Sequence, residues 1–371
     1  MTATPLHPAV HLAAQLVRLA TDGRDESSAV ALVEPRLEQL GFTSRRCTLG
    51  NGRDSIVATY PGGPPSLALS GHLDTVPASR ANWTRDPWCG VVEHGFLHGR
   101  GAADMKAGVA ALVVALEQAA AGGADLSGVS VILTAGEETG CEGAARLAQE
   151  GHLPPAAALL VAEPTSVAPL LGHKGVVWTT LSARGKAAHG STPERGINAL
   201  VPVARAVAAI DGLDLEVTHP LLGRATVSPN RLVAGTAVNV VPDWAYAEVD
   251  VRTVPGLGRD QVMAALRAHS STEIEVEPLQ VLSPVASDPS TPLYAATSDR
   301  CAQLGIAQAD PPAATFFTDA SILGEALNAP TVICGPGNAA QAHGVDEWCA
   351  VEQIEQAVLL YTAILTDRVV G

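Results

Sequence analysis

The sequence predicts an α/β protein: a larger domain with a mainly parallel sheet covered by helices, interrupted by a smaller ferredoxin-like α+β domain. Three observations carry this. At 371 residues the chain is longer than one hydrophobic core usually sustains, so two domains are expected. Helix-like stretches at Pro8 to Ala20, Ser28 to Leu40, Met105 to Ala121 and Glu142 to Gln149 alternate with apolar runs at Ser55 to Tyr60, Leu67 to Ser70, Val129 to Ala135 and Ala157 to Ala162. Such alternation belongs to a sheet wrapped in helices. The middle of the chain follows a different order.

There, Val176 to Ala183 alternates as a strand does, Asn198 to Ile210 has helical spacing, and Arg224 to Ala234 and Trp244 to Val251 read as strands. A helix at Arg259 to Ala268 and a strand at Glu273 to Pro278 complete a β-α-β-β-α-β order. The inserted domain is placed at residues 173–284, between first and second parts of the larger domain at 1–172 and 285–371. The first style resumes with a helix near Thr291 to Gly305, a strand at Pro330 to Cys334 and a helix at Val351 to Thr366.

Composition excludes several classes of function. Twenty-three basic against 38 acidic residues give a net charge of -15, the wrong sign for a nucleic-acid backbone or an anionic membrane surface. The longest apolar run, Ala107 to Leu116, meets Glu117 well short of a bilayer's width. Met1 to Ala20 lacks the basic start and long apolar stretch of an export signal, so a cytoplasmic protein is expected. Six cysteines stand apart with no C-x-x-C pair, which argues against a disulfide scaffold or a thiolate zinc site.

Five segments put a carboxylate or imidazole just after an apolar run or in a glycine-rich turn, where open α/β sheets bind ligands. LALSGHLDTVP sets His72 and Asp74 two apart on an extended segment, so one can ligate a metal while the other fixes its tautomer. An H-x-D pair alone is more often an ordinary hydrogen bond. GRGAADMKAG holds Asp104, by default the N-cap of the helix that follows, alternatively a carboxylate with one oxygen for each of two metals.

VILTAGEETG ends a strand in Glu137 and Glu138, whose side chains diverge, so one can ligate and the other can face a water; the plainer reading is a solvated acidic turn. LLVAEPT leaves Glu163 at a strand end, and GPGNAAQAHGVDEW carries His343 in an irregular loop. That loop also fits a dinucleotide fingerprint through Gly335, Gly337 and Ala340, but Pro336 lies inside it and no apolar helix follows. Together the segments supply two histidines and four carboxylates besides Asp74, enough for a dinuclear site and one spare base. Oxygen and nitrogen donors without cysteine suit zinc, cobalt or manganese in a hydrolytic site.

In these motifs the chain resembles the dinuclear zinc hydrolases that include acetylornithine deacetylase, succinyl-diaminopimelate desuccinylase and carboxypeptidase G, from about Leu6 to the C-terminus. The resemblance implies two Zn2+ per subunit, with Co2+ or Mn2+ as substitutes. His72 and Glu163 would hold one ion, Glu138 and His343 the other, and Asp104 would bridge them. Glu137 matches the general base and Asp74 the residue that orients His72. GKAAHGSTPERGINA resembles the family's lid motif, with His189 at its polarising histidine, while Asn239 and Arg252 match positions that help hold a substrate carboxylate. A cis peptide between Asp104 and Met105 is implied too, as is a homodimer formed through the inserted lid domain.

Two departures stand out: Ala107, where glycine is common, and FFTDAS at Phe316 to Ser321, which lacks the threonine-glycine-rich form of the desuccinylases. The ending GPG-x4-AH-x2-DE is closer to acetylornithine deacetylase. The expected activity is hydrolysis of an N-acyl amino acid, a small substrate with a free carboxylate. A carboxypeptidase or dipeptidase acting on short peptides comes second, and a catalytically silent metal-binding homologue third. Glu137 speaks against the third, because metal binding alone does not require it.

Overall fold

Short apolar runs become buried strands in the structure, a computed structural model that describes residues 6–369. Leu67–His72, Ser130–Thr134 and Ala158–Pro164 are buried along their whole length, as strands covered on both faces must be. The chain divides into two compact units. One comprises the chain up to Gly172, Ser287–Ala313 and the chain from Thr318 onward; the other comprises His173–Ala286 and Ala314–Phe317.

The first unit is built on a six-stranded sheet in the order Thr43–Thr48, Asp54–Thr59, Ser130–Thr134, Leu67–His72, Ala158–Pro164, Thr331–Gly335. The last four strands run parallel, and the first two are added antiparallel at one edge. Parallel neighbours need crossover helices, supplied here by Ala107–Ala121 between Leu67–His72 and Ser130–Thr134, and by Glu142–Gln149 before Ala158–Pro164. The register sets His72 opposite Thr134 and Gly335 opposite Pro164. The carboxyl ends of four strands therefore open along one edge, which is what positions the site.

Helix Ala107–Ala121 is buried for most of its length and packs against helices Pro8–Val17 and Val351–Thr366. Its alanines permit that close approach. At Gly108 a Cβ would lie 2.2 Å from the carbonyl oxygen of Ala162, so glycine is required one residue after Ala107. Gly335 meets the same carbonyl at 2.2 Å, which gives the GPG turn a packing reason for its first glycine and none that involves phosphate.

The second unit folds in the order β-α-β-β-α-β. Its antiparallel sheet runs Thr226–Ala234, Trp244–Thr253, Gly175–Arg184, Glu275–Leu282. Val177, Thr179 and Leu181 alternate into the core with Ala245, Ala247 and Val249, over buried residues of helices Leu200–Ile210 and Arg259–Ala268. Several element boundaries differ from the sequence reading, two of them with a plain cause. The first helix begins at Leu200 because the Asn198 side chain accepts from the Leu200 amide at 2.9 Å and turns the chain ahead of it. The last strand starts two residues later and continues past Pro278 through a register shift, as a residue without an N–H requires. Phe317 joins this unit, packing edge-on against Trp178 at 5.9 Å.

All six cysteines are free, and no helix among the described residues is long and apolar enough to cross a membrane.

Candidate metal centre

Strand ends and the loops that follow them bring His72, Asp104, Glu138, Glu163 and His343 together. His72 Nε2 lies 3.0 Å from Asp104 Oδ1 and 3.9 Å from Glu163 Oε1. His343 Nε2 lies 2.9 Å from Glu138 Oε2 and 3.4 Å from Asp104 Oδ2. Two three-donor groups result, His72–Asp104–Glu163 and Asp104–Glu138–His343, and Asp104 gives one oxygen to each. Asp104 makes no capping bond to the helix after it. It lies in a kinked segment, Ala102–Lys106, with a cis peptide between Asp104 and Met105.

Asp74 is buried beneath the centre, and its role differs in detail from the sequence reading. His72 Nδ1 is 3.0 Å from the main-chain oxygen of Asp74 and 3.5 Å from its carboxylate. The ring proton thus goes first to the carbonyl. The two carboxylate oxygens accept the amides of Glu137 and Glu138, each at 3.1 Å. One acid so fixes both the imidazole and the turn that presents the adjacent glutamates. Glu137 is buried, and among the described residues no ion pair engages its carboxylate; the Cys141 thiol donates weakly to its Oε1 at 4.0 Å.

Two acids escaped the sequence reading. Glu347 is buried and accepts from Ala103 N at 2.8 Å and Asp104 N at 3.1 Å through one oxygen, and from Gly101 N at 3.0 Å and Arg100 Nη1 at 2.6 Å through the other. It holds the backbone that carries Asp104. The sequence reading quoted it within the AH-x2-DE ending, four residues after His343, and gave it no role. Asp319, inside FFTDAS, is buried at the start of helix Ala320–Leu327, takes a hydrogen bond from Thr134 Oγ1 with one oxygen, and leaves the other unpartnered.

The remaining expected site residues belong to the second unit. His189 is exposed, and its Nδ1 accepts from the Ser191 amide at 3.1 Å, so the neutral ring carries its proton on Nε2, free to donate outward. The Gly190 amide donates to the Asn239 carbonyl at 2.7 Å, which sets Asn239 beside the His189 loop. Arg252 is engaged bidentately by Asp250 at 2.9 and 3.0 Å and lies over the Phe317 ring.

The profile of peptidase family M20/M25/M40 matches residues 68–367, the stretch that carries every residue of this centre. The chain belongs to that family. A probable succinyl-diaminopimelate desuccinylase of Staphylococcus aureus is 30% identical, with 96% of this chain and 98% of the relative covered. An acetylornithine deacetylase of Pasteurella multocida is 29% identical over 92% of this chain and 91% of its own. Among solved structures, an M20 family metallo-carboxypeptidase from Sulfolobus solfataricus superposes with a TM-score of 0.81 at 16% identity, covering 98% of this chain and 100% of the other. The mixed α/β architecture is thus that of the family, and the chain is a metal-dependent hydrolase.

The electrostatics of this M20 centre fit cations. Burial pushes the carboxyls of Glu137 and Glu163 well up, and that of Glu138 up, because three acids share one dry place. Burial works against charge on Asp104, yet hydrogen bonds from His343 and His72 hold it well below the usual carboxylate range. His343, between Asp104 and Glu138, is pushed up to about 10. Protonated imidazoles stand where positive charge is wanted, and divalent ions supply that charge while leaving the rings neutral as ligands. Burial raises Asp319 to about 6.

Proposed function

We propose that the chain hydrolyses the amide bond of an N-acyl amino acid with two divalent ions, zinc suiting the donors best. His72 and Glu163 would hold one, Glu138 and His343 the other, and Asp104 both. The observation that carries this reading is the division of the Asp104 oxygens between the two histidines, with Glu137 beside them and unpaired. A structural site would need neither the shared carboxylate nor the spare acid.

When bound, the ions would acidify a water and polarise the scissile carbonyl. Glu137 takes that water's proton and returns it to the leaving amine; burial raises its proton affinity, which suits an acid that must both accept and release. Asp74 keeps the Glu137–Glu138 turn and the His72 ring in place during the transfer. His189 presents an Nε2 proton to the developing oxyanion, and Arg252 and Asn239 take the substrate carboxylate, Arg252 exchanging Asp250 for it. The exposed apolar side chains Ile197, Leu200, Val201 and Val238 support pairing of two chains through the second unit, which would form the lid. Six unpaired cysteines suit the reducing cytoplasm.

A deacetylase-like relative and the GPG-x4-AH-x2-DE ending favour N-acetyl amino acids over peptides. The test is a panel of N-acetyl and N-succinyl amino acids and dipeptides, assayed on chelator-stripped protein and again after adding zinc or cobalt. Turnover by protein shown to be free of metal would end this reading. Preferential cleavage of dipeptides would move the substrate class to peptides.

A further inference from the structure

Outside the centre, one more set of metal-binding donors converges. Cys47 on strand Thr43–Thr48 points its Sγ at Glu150 Oε2, 3.3 Å away, and His152 Nδ1 lies 3.2 Å from the same oxygen. The three donor atoms all fall within 4.8 Å of one another. Glu150 caps the C-terminal end of helix Glu142–Gln149, and His152 follows two residues later. None of the three belongs to the hydrolytic centre, whose Glu137 and Glu138 precede the other end of that helix, itself about 12 Å long.

Two features separate this cluster from an ordinary polar contact. His152 Nδ1 is buried and, despite its nearness to Glu150, has no hydrogen-bond partner. Buried ring nitrogens rarely remain so without reason. The two spacings to the Glu150 oxygen also come close to the edges of a tetrahedral zinc site, about 3.6 Å for sulfur to oxygen and about 3.4 Å for nitrogen to oxygen when built from ordinary bond lengths. The other Glu150 oxygen takes Arg146 Nε at 2.5 Å, which orients the carboxylate as outer partners of metal ligands do.

We propose that Cys47, Glu150 and His152 bind a zinc ion, with water as the fourth ligand, pinning the edge strand to the end of helix Glu142–Gln149. A thiolate with an imidazole and a carboxylate selects zinc or cobalt over calcium and magnesium. Burial and the Glu150 charge keep the Cys47 thiol protonated in the metal-free chain. Binding forms the metal–sulfur bond and releases that one proton to solvent, with no change of oxidation state. The site is structural: it fixes the helix whose first turn follows Glu137 and Glu138, and takes no part in turnover.

The experiment is cobalt titration of the stripped full-length protein, followed by its near-ultraviolet absorption. The oxygen and nitrogen donors of the hydrolytic centre give no thiolate-to-cobalt charge-transfer band; Cys47 does. The expected result is a band that saturates at one ion per chain, is lost in Cys47→Ser, and is absent at equimolar cobalt in His152→Ala. Zinc content by elemental analysis falls by one ion per chain in either variant, while hydrolytic activity on the substrate panel is unchanged. No band at full cobalt occupancy, or a band that persists in Cys47→Ser, overturns the site and leaves the hydrolase reading untouched.

Discussion

His72 and His189 show two ways of readying an imidazole. His72 is buried, with one nitrogen against the Asp74 carbonyl and the other facing Asp104 and Glu163. His189 is exposed, and among the described residues its ring is hydrogen-bonded only to Ser191, two residues on. The first is fixed by partners from across the chain and has one geometry. The second is set only in tautomer and must meet its target in a complex. Buried site groups in the first unit should therefore govern what the protein holds, and exposed groups of the second unit should govern only how fast it reacts.

The largest effect tests that division at its least comfortable point. Glu137 is buried with the ligands but is assigned to chemistry, so Glu137→Gln is expected to keep full metal content and lose roughly 10²–10⁴-fold in kcat. Metal loss in parallel with activity would return Glu137 to the ligand set. His189→Ala comes next, with kcat down about 100-fold and metal content unchanged, as when one oxyanion donor is removed. If His189 serves a partner chain, mixing His189→Ala with Glu137→Gln chains regenerates one complete site per heterodimer. Demonstrated subunit exchange without recovered activity would confine His189 to its own chain. Glu347→Gln is the converse case: it touches no substrate, yet an amide has one accepting oxygen where the carboxylate uses two, so it cannot accept from Ala103 and Asp104 and also from Gly101 and Arg100. Metal affinity should fall roughly 10–100-fold, the usual cost of losing an outer partner. Unaltered affinity would mean that the Asp104 segment holds itself.

What could be read in advance follows the same division. His72, Asp104, Glu138, Glu163 and His343 were legible because each stands just after an apolar run or in a glycine-rich turn or loop, and such places can be named from sequence. Glu347 and Asp319 were not. Each follows no strand, and each acts on groups more than 180 positions away in the chain, which spacing cannot reveal. The hydrogen bonding of Asp74 was half legible: two-residue spacing put it beside His72, but only the fold shows its carboxylate turned to the amides of Glu137 and Glu138. The β-α-β-β-α-β order was visible because alternation survives in exposed-and-buried strands. The adoption of Ala314–Phe317 by the second unit was invisible, because it rests on Ala314 bridging to His173 and on Phe317 meeting Trp178.

The last comparison concerns a third histidine, buried like His72 but without its acids, and it bears on stability rather than on metal or turnover. His173 is fully buried in the second unit, and its Nδ1 approaches the Lys174 carbonyl at 2.9 Å, which places the proton on that nitrogen. Its Nε2 is buried with no partner. A second proton would go there, onto a cation with no acceptor and no water, and burial accordingly depresses this ring from 6.5 to about 4. The folded state then binds fewer protons than the unfolded one between those values. Stability is complete above pH 6.5, declines as the pH falls through that window, and levels off below about 4. The difference amounts to roughly 3 kcal/mol. Asn at position 173 can keep the donor to Lys174 and cannot titrate, so His173→Asn should lose about that much less stability than the unaltered chain between pH 6.5 and 4. Urea unfolding at a series of pH values, in stripped protein and following the second unit's Trp178 fluorescence, makes the comparison. Parallel pH profiles for the two chains would show that His173 finds a partner for its second proton.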